Sequence, residues 1–174
     1  MRRRELFAGA IALAMAGPAR AASNMPLHDN PREIPDTAFV DDEGRELSLD
    51  DFRDRIVLLN IWATWCPPCS EEMPTLDRLQ AQLGGPDFHV LALSIDRAGL
   101  EPVRRFYDEI GVAHLGLYFS EGMRAMRDLF VVGLPTTLLI DRGGREIARL
   151  VGPAEWDSPG IIDQIQSLIN ERSE

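Results

Sequence analysis

Two cysteines, Cys66 and Cys69, are the residues whose type and spacing most clearly allow chemistry in this chain. They are its only cysteines, and two prolines separate them. Such a pair can form a structural disulfide, contribute to a metal site or act as a redox couple. A disulfide here closes a loop of four residues, which contributes about 2 kcal/mol in the chain-entropy model, against about 4.7 kcal/mol for 100 residues. A chain of this length buries a core without cross-links, so a structural role is the weaker interpretation.

A metal site is also disfavoured by the composition. Zinc takes four ligands, usually two C-x-x-C pairs or one such pair with two closely spaced histidines. The three histidines, His28, His89 and His114, are scattered along the sequence. We therefore expect no metal and no other cofactor, and redox chemistry is the best interpretation of the cysteine pair.

The N-terminus has the layout of a secretory signal peptide. Three arginines at 2–4 precede an apolar stretch over 6–17, and Ala19-Arg20-Ala21 resembles a cleavage signal. The apolar stretch is shorter than the roughly 20 residues of a membrane-spanning helix, so a retained anchor facing the periplasm is the minority interpretation. We expect residues 1–22 to be removed on export to the periplasm, by either the general or the twin-arginine route.

The predicted mature chain is acidic. The full chain has 18 basic residues, all of them arginine, and 28 acidic residues. Removal of the leader leaves 14 arginines and 27 acidic residues, a net charge of −13. This charge argues against nucleic acids and anionic membrane surfaces as partners. It favours a basic or neutral docking face on a protein partner.

Strands and helices must alternate around the cysteines to position them. The runs at 56–62 and 88–95 are almost continuously apolar, as strands buried on both faces are. The predicted order is a hairpin over 37–49, strands at 56–62 and 88–95, helices near 69–83, 102–110 and 123–130, a hairpin over 137–151 and a helix from Pro159. This order implies an α/β fold, a mixed sheet with helices on both faces. The proline-containing residues 23–36 are expected to be a flexible N-terminal segment, followed by one domain over 37–174.

Several motifs carried by these elements resemble a known family. The chain resembles proteins of the thioredoxin fold in three features, which are W-C-P-P-C after an apolar strand, Pro74 in the following helix and G-L-P-T-T at 133–137. More narrowly, it resembles the TlpA/ResA-like thioredoxins exported by bacteria. This resemblance is carried by N-x-W-A-T-W-C-P-P-C-x-x-E-M-P at 60–74, the preceding hairpin and G-P-A-E-W-D-S-P at 152–159. The resemblance covers roughly residues 39–169.

This resemblance implies a thiol–disulfide oxidoreductase. It implies more specifically a reductase of client disulfides that serves cytochrome c maturation or assembly of the copper centre in cytochrome oxidase. The partners would then be a client protein with a disulfide or dithiol, and a membrane or periplasmic electron donor. We expect the protein itself to be a monomer.

The cysteines and their neighbours are expected to have distinct roles. Cys66 lies at the mouth of a helix, where the dipole favours a thiolate, so it should be the attacking sulfur. Cys69, one turn further and more buried, should resolve the mixed disulfide. Pro135 resembles the family's cis-proline, and with Leu134 and Trp65 it is expected to contact the client.

Glu72 is the candidate proton carrier. It lies one helical turn beyond Cys69, as in the TlpA/ResA-like group, and Asn60 occupies the place of the aspartate proton carrier of ordinary thioredoxin. Because Asn60 cannot titrate, a buried Glu72 is expected to take that role. The alternative is a solvated first-turn acid like Glu71. Trp156 is expected to be a packing residue.

Three other functions fit less well. A peroxiredoxin needs a threonine where Cys66 stands relative to Cys69, and a copper-binding Sco-like module needs C-x-x-x-C with a downstream histidine. A dithiol oxidase of the DsbA kind shares the chemistry but reverses the electron flow, and it is the main alternative. Since Pro67 and Pro68 lack N–H donors, the Cys66 thiolate should be weakly stabilised, which predicts a reductant.

Overall fold

Eight strands and four helices make up residues 24–171, which the computed structural model describes. The strands are β1 (Leu27–Arg32), β2 (Ala38–Asp41), β3 (Glu46–Ser48), β4 (Ile56–Trp62), β5 (Phe88–Ser94), β6 (Tyr118–Phe119), β7 (Thr136–Ile140) and β8 (Glu146–Val151). The helices are α1 (Pro67–Leu83), α2 (Leu100–Ile110), α3 (Arg124–Asp128) and α4 (Pro159–Asn170), with 3-10 turns at Leu49–Phe52 and Glu121–Met123. The predicted leader over 1–22 lies outside the described residues.

The strands form one mixed sheet in the order β1-β8-β7-β4-β5-β6-β2-β3. Strand β4 is parallel to β5 and antiparallel to β7, and all seven of its residues are buried. Both the bounds of β4 and the β7–β8 hairpin agree with the sequence prediction. The predicted α/β class with a mixed sheet is confirmed.

The central strand β4 separates two apolar cores. On one face Leu58 and Trp62 pack with side chains of α1, α2 and α4. On the other face Val57, Leu59 and Ile61 pack with side chains of β2 and α3. Each buried side chain of this size contributes roughly 1.5–3 kcal/mol. The C-terminal end of β4, where the cysteine loop begins, is therefore firmly held.

The expectation that residues 23–36 form a flexible segment is wrong for 27–32. These residues form the edge strand β1, which pairs antiparallel with β8. The ring of His28 contacts Glu146, with 2.9 Å between Nε2 and Oε1. Backbone pairing and polar contacts hold β1, and most of its side chains are exposed, so it has no apolar pattern. Pro31 is tolerated because edge strands accept proline.

The short amphipathic helix predicted near 123–130 is also only partly correct. Helix α3 spans five residues, and Leu129 is buried after its end. Met123 and Phe130, which flank α3, are exposed and have positive φ angles of 60° and 53°. The helical spacing of the apolar residues Met123, Met126, Leu129 and Phe130 therefore does not place all four side chains in the core. Within residues 24–171, the helices are too short or too polar to cross a membrane.

Candidate active site

The two cysteines lie where the chain passes from β4 into α1. Cys66 is the N-cap of α1 and is bonded to Cys69, with an S–S distance of 2.07 Å. In this oxidised state 6% of Cys66 and 0% of Cys69 is exposed. Pro67 and Pro68 occupy the first two helical positions and carry no N–H. The first amide of α1 that can donate to the Cys66 sulfur is therefore that of Cys69.

The loop before Cys66 is held by a carboxylate that the sequence analysis missed. Asp96 follows β5 and is buried. It accepts hydrogen bonds from the Thr64 N–H (3.0 Å), the Thr64 hydroxyl (2.7 Å) and the Ser94 hydroxyl (2.7 Å). Because β4 and β5 are parallel, residues that follow them meet at one sheet edge. The parallel pairing of these two strands, which the sequence pattern implied, could have indicated that Asp96 lies near Thr64.

Glu72 is buried, with only 2% of its surface exposed. The structure thus excludes the alternative that Glu72 is a solvated first-turn acid like its neighbour Glu71, which is exposed. Burial raises the pKa of Glu72 from 4.5 to about 7, while hydrogen bonds from Trp156, Asn60 and Ala154 act in the opposite direction. A carboxyl with this pKa takes up and releases a proton near neutral pH.

Three N–H donors surround the Glu72 carboxylate. The Trp156 indole donates to Oε2 over 2.8 Å, and the Ala154 backbone donates to the same oxygen over 3.1 Å. The Asn60 side chain donates to Oε1 over 2.8 Å and to the Thr137 hydroxyl over 2.9 Å. Trp156 is fully buried, as expected of a packing residue, but its hydrogen bond to Glu72 was not anticipated.

The residues predicted to contact a client lie on two loops. The Leu134–Pro135 peptide bond is cis, as the resemblance implies. Leu134 packs against the core cluster that contains both cysteines. Trp65, beside Cys66, is 65% exposed. This arrangement leaves an exposed aromatic side chain next to the disulfide.

Two of the three histidine side chains make structural contacts. His28 contacts Glu146, His89 Nε2 lies 3.2 Å from the Tyr118 hydroxyl, and His114 is exposed. In the part of the chain that the structure describes, no group of three or more His, Cys, Asp and Glu side chains is arranged to hold a metal ion.

Comparison with known proteins places this site in context. A family model described as Redoxin matches residues 30–165. The thiol-disulfide oxidoreductase ResA of Bacillus thuringiensis (strain Al Hakam) is 30% identical over 121 residues, which are 70% of this chain and 69% of the relative. The thioredoxin-like protein YneN of Bacillus subtilis (strain 168) is 34% identical over 115 residues, 65% of this chain and 66% of the relative.

Solved structures show the same architecture. A candidate thiol:disulfide interchange protein DsbE from Chlorobium tepidum matches with a TM-score of 0.70 and 30% identity, over 81% of this chain and 98% of that chain. StoA from Bacillus subtilis matches with a TM-score of 0.61 at 16% identity, over 79% of this chain and 98% of that chain, which supports the fold alone. The fold is the thioredoxin fold predicted from the sequence.

The buried Glu72 predicts a specific pH dependence of stability in the oxidised protein. Because its pKa rises from 4.5 to about 7 on folding, the folded state binds the proton more tightly than the unfolded chain. The contribution of Glu72 to stability is therefore most favourable below about pH 4.5 and falls until about pH 7. The change corresponds to about 3 kcal/mol.

Urea unfolding from pH 4 to 8 measures this effect against two variants. Glu72→Gln should gain stability relative to the wild type as the pH rises, by about 3 kcal/mol in total. Glu71→Gln, which changes the exposed neighbour, should follow the wild type. If the difference between wild type and Glu72→Gln stays constant with pH, the raised pKa of Glu72 is wrong.

Proposed function

The chain belongs to the Redoxin family and is a thiol–disulfide oxidoreductase of the ResA type, and from this premise we propose that it is a periplasmic reductase of client-protein disulfides. Its clients act in cytochrome c maturation or in assembly of the copper centre in cytochrome oxidase. The observation that carries the direction of electron flow is the pair of prolines at the start of α1. The predicted leader over 1–22 supports export, and the domain predicted over 37–174, together with the edge strand β1 that joins its sheet, is proposed to carry the activity.

The first step starts from the reduced protein and uses Cys66, which is the more exposed of the two cysteines in the oxidised structure. The Cys66 thiolate attacks one sulfur of the client disulfide, the bond between the two client sulfurs breaks, and the departing client thiolate takes a proton. A mixed disulfide between Cys66 and the client remains. Trp65 precedes Cys66 in the chain, and Leu134 packs against the core cluster that contains both cysteines. We propose that these two residues and Pro135 hold the client segment during this step.

The second step needs a base in the protein interior. Cys69 is fully buried, so we assign its proton to the carboxylate of Glu72 in the next helical turn. The resulting Cys69 thiolate attacks the Cys66 sulfur, the mixed disulfide breaks, and the client leaves as a thiolate that takes a proton from solvent. Glu72 then releases its proton, and an external dithiol reduces the Cys66–Cys69 disulfide.

The proline pair favours a reductant over a dithiol oxidase. A strong oxidant has a stabilised reduced form, which requires donors around the nucleophilic thiolate. Pro67 and Pro68 remove two such donors where the helix dipole would otherwise present them to Cys66. The weaker stabilisation keeps the pKa of the Cys66 thiol higher and makes the dithiol a better electron donor.

Cysteine variants test the division of labour. Cys66→Ala should abolish exchange, because no attacking sulfur remains. Cys69→Ala should accumulate mixed disulfides in the native cell, because the resolving thiol is absent. Non-reducing gels and mass spectrometry identify the trapped client, and a protein of cytochrome c maturation or copper-centre assembly is expected. Selective alkylation of Cys69 by iodoacetamide in the reduced wild type would reverse the two assignments.

The redox potential tests the direction. We expect a potential near the thioredoxin value of about −270 mV, and a value above about −160 mV contradicts the reductase proposal. Pro68→Ala restores one N–H near Cys66 and should raise the potential by about 30–60 mV, since a hydrogen bond to a charged group contributes about 1.5–3 kcal/mol. Pro74→Ala restores an N–H further along the same helix and serves as the matched control. Titration with glutathione or dithiothreitol measures all three proteins.

The rate of exchange tests Glu72. Glu72→Gln should keep the fold and slow exchange about 10²-fold, and the pH dependence of the resolving step should flatten, because the proton acceptor is removed. Glu71→Gln should leave both unchanged. Stopped-flow fluorescence of Trp65 from about pH 5 to 9 covers the relevant range. A wild-type rate and pH profile in Glu72→Gln would remove Glu72 from the mechanism.

A further inference from the structure

The groups that contact the Glu72 carboxylate are all placed as donors. The Trp156 indole and the Ala154 backbone N–H point to Oε2, and the Asn60 amide nitrogen points to Oε1. Indole and backbone N–H groups cannot accept a hydrogen bond. This arrangement suits the ionised carboxylate. When Glu72 is protonated, its new O–H needs an acceptor that neither Trp156 nor Ala154 can supply.

Asn60 is the one of these three partners that can also accept. Its side-chain oxygen, Oδ1, is buried and has no hydrogen-bond partner among the described residues. Its nitrogen, Nδ2, lies 2.8 Å from Glu72 Oε1 and 2.9 Å from the Thr137 hydroxyl. A half-turn of the amide exchanges these two atoms and brings the oxygen to face Glu72 and Thr137.

The Thr137 hydroxyl is compatible with both orientations of the amide. A hydroxyl can accept a hydrogen bond from Nδ2 or donate one to Oδ1. The trio of Asn60, Glu72 and Thr137 can therefore form hydrogen bonds between its members in either charge state of the carboxyl. In both orientations the same two contacts are made, and the far end of the amide is unpartnered within the described residues.

We propose that Asn60 is a positioning residue whose side-chain amide turns over when Glu72 gains or loses a proton. With Glu72 ionised, Asn60 Nδ2 donates to Oε1 and to Thr137. With Glu72 protonated, the carboxyl O–H and the Thr137 hydroxyl both donate to Asn60 Oδ1. This inference deepens the proposed function and rests on it for its catalytic meaning, although the rotation itself depends only on the titration of Glu72.

Among the groups around Glu72, the rotating Asn60 amide is the one that can accommodate the added proton. The Glu72 side chain is faced by Asn60 from β4 and by Ala154 and Trp156 from the segment before α4. Cys69, which precedes Glu72 by one turn on α1, is bonded to Cys66 in this oxidised state. No charged side chain of the described residues contributes to the raised pKa of Glu72. Two orientations of Asn60 let the carboxyl change charge without moving the backbone.

Nuclear magnetic resonance of the oxidised wild-type protein tests the rotation directly. At pH 9 the side-chain amide protons of Asn60 should show strong nuclear Overhauser effects to the Thr137 methyl group. These effects should weaken towards pH 5, with a midpoint equal to the pKa of Glu72 read from its carboxyl carbon. In Glu72→Gln, which mimics the protonated acid, they should be weak at every pH. Effects that stay unchanged from pH 5 to 9 overturn the proposal.

A pair of variants gives a second readout. Trp156→Phe removes a group that only donates, so the pKa of Glu72 should rise by about one unit or more. Asn60→Leu removes a group that serves both charge states, so the pKa should change less than in Trp156→Phe. An equal or larger rise in Asn60→Leu means that Asn60 is a fixed donor and contradicts the proposal.

The outcome is separable from that of the proposed function. If the amide turns over but Glu72→Gln exchanges at the wild-type rate, the rotation stands and the catalytic role of Glu72 fails. If Glu72→Gln is slow but the Overhauser effects do not change with pH, the proton role stands and this inference fails.

Discussion

A carboxyl group buried beside a disulfide is the constraint on which the site depends. Burial penalises the ionised form of Glu72, and the structure offsets this penalty with three N–H donors. Those donors come from β4 and from the segment before α4, which are distant in sequence. The central strand, helix α1 and the C-terminal part of the chain must therefore be docked before the proton site exists. The proton transfer that we propose between Cys69 and Glu72 is in this way coupled to the complete fold.

The loop before the cysteines is held by a second buried carboxylate. Asp96 holds Thr64 through both its backbone and its side chain. Strand β4 is packed on both faces, so its end cannot shift relative to these partners. Two acids thus have different tasks, because Asp96 orders the loop and Glu72 is placed to titrate.

Sequence patterns predicted the structural features that depend on residues close together in the chain. The apolar run of β4, the C-P-P-C pair and the turn between β7 and β8 are local signals, and the structure agrees with each. Contacts between distant polar residues had no such signal. The edge strand β1, the clamp from Asp96 and the Trp156–Glu72 hydrogen bond each join residues more than thirty positions apart. The exposed Phe130 was misplaced because helical spacing was extended beyond the five residues of α3.

The proline pair and the buried glutamate solve complementary problems. In the proposed mechanism the prolines at the start of α1 withhold hydrogen bonds from the Cys66 thiolate, which would make the dithiol a better reductant and the Cys66 thiol harder to ionise. Cys69 is harder to ionise because it is fully buried. A thiol that holds its proton more tightly needs a stronger base, and an exposed glutamate with an ordinary pKa is too weak at neutral pH. Burial supplies the stronger base by raising the pKa of Glu72 to about 7. The reducing couple that we propose is therefore best served by an acid inside the protein, where Asn60 and Trp156 donate hydrogen bonds to it.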